Sequence, residues 1–164
     1  MTRGNGRMNR AIVAFDEDAN SEWVAQLACG HRRHMRHDPP FRDRPWVTTP
    51  EGRQSRIGLE IDCVSCDQRV VPAGYEPYRR TPIFDENTAP EALLRHHSTK
   101  PGIWARIHVV HGCLDYYIDT PFDSHERLTP LSPGVVVPEV PHHVATLGPV
   151  SFFVEFLRAD DASA

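Results

Sequence analysis

The sequence predicts a mainly β chain in two units: a small N-terminal module tied together by paired sulfur and nitrogen side chains, then a larger antiparallel sandwich or barrel. Three observations carry this. Residues 102–110, 113–119, 134–140, 142–147 and 150–158 form short β-rich runs separated by Gly, Pro and Asp clusters, with no long amphipathic helix among them. Upstream, Cys29-Gly30-His31 and Cys63-Val64-Ser65-Cys66 each close an extended stretch. The charge also divides, because residues 1–75 carry 11 basic and 10 acidic groups while residues 76–164 carry 7 and 12.

Taken in order, residues 11–15 and 22–28 flank a polar stretch and read as a hairpin. The run His31-Arg32-Arg33-His34-Met35-Arg36-His37 stops at Pro39-Pro40, and the chain to Gly58 reads as loop, with one short extended piece at Trp46-Val47. Ile57, Leu59, Ile61 and Cys63 alternate with polar or small residues, as on a strand. Residues 68–80 hold Pro72, Gly74 and Pro77 and read as a linker. Thr88-Ala89-Pro90-Glu91 has the pattern of a capping box, so a helical turn or two is expected over 89–95. The two ends, 1–10 and 159–164, are expected to fray. The boundaries that result are a first unit at 8–70 and a second at 76–160.

Composition limits the function classes. The 164 residues suit one domain or two small units, and 40% apolar with 24% charged residues is the balance of an ordinary globular chain. The longest clean apolar run, 11–15, is too short for a signal-peptide core or a membrane span, so the cytoplasm is the expected compartment. A formal net charge of -4 has the wrong sign for a protein that coats nucleic acid. Arginine outnumbers lysine 17 to 1, which reads first as genome composition.

Without an export signal, four cysteines argue for metal ligation or plain burial rather than a disulfide framework. Cys29, His31, Cys63 and Cys66 offer two pairs of soft or borderline ligands, the donor set of a closed structural Zn2+ site in a zinc-ribbon-like module. In a segment of about 70 residues with few large apolar groups, such an ion would supply folding energy that a small core lacks. A redox pair at Cys63 and Cys66, and two simply buried cysteines, are the competing readings; Val70-Val71-Pro72 follows too soon for the helix that a thioredoxin-like motif opens. His34 is the substitute for His31 as ligand. The Arg/His run 31–37 is alternatively a phosphate-contacting patch, the plainer view being a solvated loop.

Two resemblances follow from the residues. Leu27-Ala28-Cys29-Gly30-His31, His34, Arg36-His37, Pro39-Pro40, Arg44-Pro45-Trp46-Val47, Gly52-Arg53 and the Cys63/Cys66 pair resemble a small bacterial domain of unknown function, which implies no established activity. The segments 79–84, 92–96, 98–104, 109–112, 133–134, 141–142 and 152–156 resemble the TehB/YeaR-like, tellurite-resistance-associated cupin domain. That resemblance implies a double-stranded β-helix (cupin or jelly roll) with one divalent metal, Zn, Fe, Ni or Mn. The sequence departs from the common cupin ligand pattern of His-x-His, then Glu, then Gly: the glutamate place, counted back from Gly112, falls on Ala105. His96 and His97 are adjacent, so on a strand they face opposite ways and one of them ligates. His96 and His142 are the expected barrel ligands, and Arg106, on one strand face with Trp104 and His108, the expected anion anchor.

Three functions remain open at this point. The first is a metal-binding accessory or stress-response protein (oxyanion, nitrosative or tellurite) that binds a small anion or metal. The second is a metal-dependent cupin enzyme, an oxygenase or isomerase, and the third is a regulator or adaptor using the Arg/His run. A small molecule or oxyanion is the expected partner, and a homodimer is the expectation that cupin-like sheets bring.

Overall fold

The computed structural model describes residues 7–160, and it is mainly β. The expected fraying of the ends falls outside the described residues for 1–6 and 161–164. Met8 and Arg10 are buried, and Ala159 ends a strand.

The first unit is a curled four-stranded sheet in the order β3-β2-β1-β4, formed by β1 (Asn9–Glu17), β2 (Trp23–Leu27), β3 (Arg32–His34) and β4 (Glu60–Asp62). The predicted hairpin is β1 against β2, closed by Asp18, whose carboxylate accepts from the backbone N–H groups of Asn20 and Glu22 at 2.8 and 2.9 Å. The predicted long strand through Ile57 and Leu59 shrinks to β4, and both side chains are exposed. The predicted extended piece at Trp46-Val47 is instead a 3-10 turn at Pro45–Thr48, followed by α1 (Pro50–Gln54). The signal for α1 was present in the sequence: Thr49 caps it by accepting from the Gly52 N–H at 3.1 Å, with Pro50 at the first helical position. Arg53 of α1 lies 3.6 Å over the Trp23 ring, which fixes the helix on the sheet. A single turn, α2 (Val64–Asp67), follows β4.

The expected linker is in part a strand. β5 (Tyr75–Arg80) pairs with the last strand, so the free connection is short. Next come β6 (Phe84–Asp85) and α3 (Glu91–Leu94). The capping box does not form, because Thr88 Oγ1 is taken by the Asp85 N–H at 2.8 Å in a turn that precedes the helix. The remaining strands are β7 (Trp104–Gly112), β8 (Leu114–Ile118), β9 (Ser124–Leu128), β10 (Gly134–Val136), β11 (His142–Ala145) and β12 (Val150–Ala159). They build one sheet in the order β10-β7-β12-β5, with β6 also on β12, and a second in the order β11-β8-β9. Strand β9 was missed because Ser124-His125-Glu126-Arg127 is polar on both faces. It pairs along its full length with β8.

Every second residue of β7 turns away from the core between these sheets. Ala105, Ile107 and Val109 are buried on the inner face, while Trp104 is buried against the first unit. Its indole Nε1–H donates to the Cys29 carbonyl at 2.7 Å, and its ring meets that of His31 edge-on at 5.3 Å. Buried Arg10 clamps the same junction, donating to the Pro138 carbonyl at 2.7 Å and pairing with Glu139 at 3.1 Å. Trp104→Phe leaves the buried Cys29 carbonyl unpaired, and is expected to lower the free energy of unfolding by about 1–3 kcal/mol in urea titration. An unchanged midpoint would contradict the role given to this bond.

Candidate metal centre

Two tight turns assemble the centre. β2 ends and β3 begins at Cys29-Gly30-His31, where the Leu27 N–H donates to the His31 carbonyl at 2.9 Å and the Gly30 N–H to the Leu27 carbonyl at 2.8 Å. Gly30 has φ +96°, and a Cβ there would stand 2.1 Å from the Tyr75 hydroxyl oxygen, so both backbone and neighbour require glycine. The second turn is α2: a spacing of three residues over one helical turn puts the Cys63 and Cys66 thiols on the same side. Asp67, in this turn, accepts the Met8 N–H at 2.6 Å and ties it to the start of β1.

Cys29, His31, Cys63 and Cys66 are all buried, and their donor atoms lie within 4.8 Å of one another. His31 Nδ1 is 3.3 Å from Cys29 Sγ, 3.4 Å from Cys63 Sγ and 3.5 Å from Cys66 Sγ, and the Cys29 and Cys63 sulfurs are 3.9 Å apart. A tetrahedral zinc with Zn–S of about 2.3 Å and Zn–N of about 2.0 Å has edges of about 3.8 Å between sulfurs and about 3.5 Å between sulfur and nitrogen. The donor set and its spacing therefore fit such an ion. The thiols are free rather than bridged. His31 Nε2 is 2.6 Å from the Val70 carbonyl, which only accepts, so Nε2 carries the proton and Nδ1 is turned to the sulfurs.

Left to share protons among themselves, the four groups split. Burial alone favours neutral His31, but hydrogen bonds to Cys29 and Cys63 outweigh it and raise the imidazole to about 9. Hydrogen bonds from Cys29 and Cys66 pull the Cys63 thiol below its ordinary range, while those with Cys29 and Cys63, and burial, push Cys66 up. A divalent cation removes that competition by favouring the deprotonated form of all four.

The substitute ligand, His34, is elsewhere: it is exposed and 3.0 Å from Asp18. In the same run Arg32 pairs with Asp16 at 2.6 Å, Arg33 with Asp62 at 2.7 Å and Arg36 with Glu22 at 2.9 Å, so the positive charge is balanced locally.

The second unit holds a cavity of about 360 Å³ between its two sheets, lined by Ile103, Ile107, Val136, Phe152 and other apolar groups together with His97, His142, Lys100 and Arg79. The structure pairs the histidines differently from the expectation. Backbone bonds of 3.0 and 2.8 Å join His97 and His142, so these two share a face and their rings sit 4.2 Å apart at the cavity. His96 is on the opposite face, beside Asp119 and His143, and does not join His142. Register is the reason, since neighbours along a strand point to opposite sides. Arg106 likewise faces away from the cavity, because Ala105 and Ile107 hold the inner positions of β7. It lies 4.0 Å from Glu155. His142 donates from Nδ1 to the Val140 carbonyl at 2.9 Å, and burial holds it neutral, with its pKa lowered to about 4. Among the described residues no helix is long and apolar enough to cross a membrane.

The burial pattern makes a test that needs no metal. A thiol reagent should reach Cys113, which is partly exposed, in the native protein, and should label Cys29, Cys63 and Cys66 only on unfolding. Fast labelling of all four would contradict the closed cluster.

Comparison with known proteins places both units. Residues 13–70 match the family described as a protein of unknown function (DUF3565), and residues 79–154 match the TehB-like domain. The uncharacterized protein YeaR of Escherichia coli (strain K12) is 27% identical over 100 residues, covering 56% of this chain and 84% of YeaR. A crystal structure of a protein from the same strain superimposes with a TM-score of 0.51 at 25% identity, covering 56% of this chain and 97% of that one. TehB from Haemophilus influenzae gives a TM-score of 0.49 at 24% identity, over 53% of this chain, which spans about a third (32%) of the TehB chain. The chain thus carries an N-terminal DUF3565 domain fused to a TehB-like domain, and its relatives include YeaR.

Proposed function

We propose that this is a metal-binding accessory protein of the TehB/YeaR-like type. In this reading Cys29, His31, Cys63 and Cys66 hold a structural zinc ion in a module at 8–70, and the unit at 76–160 is a cupin-type double-stranded β-helix that binds a small anion in its cavity. The observation that carries the reading is the spacing of the four donors, which match the edges of a zinc tetrahedron and are oriented by the Val70 carbonyl behind His31. The ion supplies three thiolates and an imidazole with a common counter-charge, and through them ties β1, the β2–β3 turn and α2 together.

The cavity supports the second half. Its walls are mostly apolar, and its charged lining residues, Lys100 and Arg79, are both basic, which suits an anion with an apolar body. Defence against oxyanions or nitrosative stress, the setting implied by the TehB/YeaR-like resemblance, is compatible with that ligand class. An enzyme with its metal inside the barrel asks for at least three protein ligands. The lining offers His97 and His142 but no carboxylate or thiol, so binding is preferred to catalysis.

Elemental analysis of protein purified without chelator is expected to find one zinc per chain, lost in Cys63→Ser and retained in His34→Ala. Zinc binding displaces protons from thiols and imidazole, so affinity falls as pH falls, and acid should release the ion before the second unit unfolds. Protein that is fully folded without any metal would overturn this half of the reading. For the cavity, benzoate and tellurite are the probes. A raised melting temperature with either, reduced in Lys100→Met, supports anion binding. No response to either at millimolar concentration would remove it.

A further inference from the structure

The outer face of the β11-β8-β9 sheet carries a cluster that neither the thiolate centre nor the cavity uses. His96, Asp119 and His143 come from three separate segments, and one ligand atom from each lies within 4.8 Å of the others. His96 Nδ1 is 2.6 Å from Asp119 Oδ2, and the His96 and His143 rings are 4.6 Å apart. The sheet fixes the cluster in place. His143 is opposite Tyr117, and Tyr117 opposite His125, so that the His143 ring stacks on Tyr117 at 4.8 Å with 7° between planes, and His125 covers the other side of Tyr117 at 4.3 Å. With its ring held in that stack, His143 still leaves Nδ1 buried without any hydrogen-bond partner. A group with two lone-pair nitrogens and one carboxylate oxygen on a rigid strand platform, one nitrogen of it unsatisfied, is short of a cation.

We propose that His96, Asp119 and His143 form a second metal site, for a divalent first-row transition ion, on the outer face of the TehB-like unit. Two imidazoles and one carboxylate are a donor set suited to zinc, nickel or iron(II), and three protein ligands leave the rest of the coordination sphere to water or a small anion. The His96 and Asp119 side chains are 65% and 35% exposed, so the ion enters from solvent without passing through the cavity. The other carboxylate–histidine group, Asp18, Glu22 and His34, is a poorer candidate, because Asp18 already accepts two backbone N–H groups and Glu22 pairs with Arg36. The site is also separate from the His97/His142 pair, which lies on the other side of the strand.

Nickel chloride titrated into the full chain by calorimetry, in a buffer that does not bind metal, tests this. The expected result is one nickel per chain with no thiolate-to-nickel charge-transfer absorption, and an affinity lowered at least about tenfold in Asp119→Asn and in His143→Ala. His96→Ala, at an exposed position, serves as the variant least able to disturb folding and should show the same loss, with circular dichroism unchanged. His97→Ala should bind nickel as the parent does. The proposal is overturned by the absence of nickel binding, by unchanged affinity in the Asp119 and His96 variants, by loss in His97→Ala instead, or by a charge-transfer band that assigns the nickel to the cysteines. Because that band reports on the thiolates alone, failure here is distinguishable from failure of the Cys29/His31/Cys63/Cys66 reading.

Discussion

The gathering of three thiols and one imidazole at the meeting point of two tight turns is the constraint on which the rest of the first unit depends. The buried apolar side chains of the first unit include Met8, Ile12, Leu27, Met35 and Val47, with Phe15, Trp23 and Trp46 packed half-buried against them, a small core for a sheet of this size. The cluster brings residue 29 to residue 66, and the turn that carries it admits only glycine at position 30, because φ there is +96° and Tyr75 stands where a Cβ would be. The Val70 carbonyl behind His31 extends the same constraint by one more shell. The second unit is attached at the same point, through the Trp104 indole on the Cys29 carbonyl, so the most tightly specified part of one unit is also the foundation of its neighbour.

Simple alternation organises the second unit. At the His96-His97 and His142-His143 pairs, one imidazole of each goes to the cavity and the other to the outer face, and antiparallel pairing matches like with like. Two chemically distinct places result from two dipeptides. In the inner pair burial keeps His142 neutral while His97 is half-buried; in the outer pair His96 is exposed and accompanied by Asp119, and His143 is half-buried. A shift of one residue in the register would exchange these roles.

What could be read from the sequence follows the same physics. The gathering of Cys29, His31, Cys63 and Cys66 was legible because the spacing within each pair is local, two residues in one and three in the other, and a tight turn is all that either pair needs. His31 rather than His34 was less so, since the choice depends on the β2–β3 turn geometry. The strands β7, β8, β11 and β12 announced themselves by apolar alternation, whereas β9 is polar on both faces and is held only by its pairing with β8. The histidines of the second unit were the hardest. That one of His96 and His97 must face inward follows from strand geometry, but which one does is set by a cross-strand bond to His142, 45 residues away, and nothing local records it. Arg106 shares its strand face with Trp104 and His108 as the alternation predicts, but that face is turned away from the cavity, and Arg106 lies beside Glu155. Thr88 shows the opposite case, a capping signal diverted to the turn at Asp85.

Trp104 belongs to both units, its indole on the Cys29 carbonyl and its strand continuing into Ala105 and Ile107 at the cavity wall. On the proposed reading, an occupant of the cavity that displaced β7 would act on the carbonyl of Cys29, itself one of the four clustered residues, and an ion held by the cluster would act on β7 in return. Thermodynamic reciprocity would make two such effects equal: whatever factor an occupant imposed on the affinity for an ion, the ion would impose on the affinity for the occupant. The indole hydrogen bond, with the Arg10 contacts to Pro138 and Glu139 beside it, is where a displacement in one unit reaches the other.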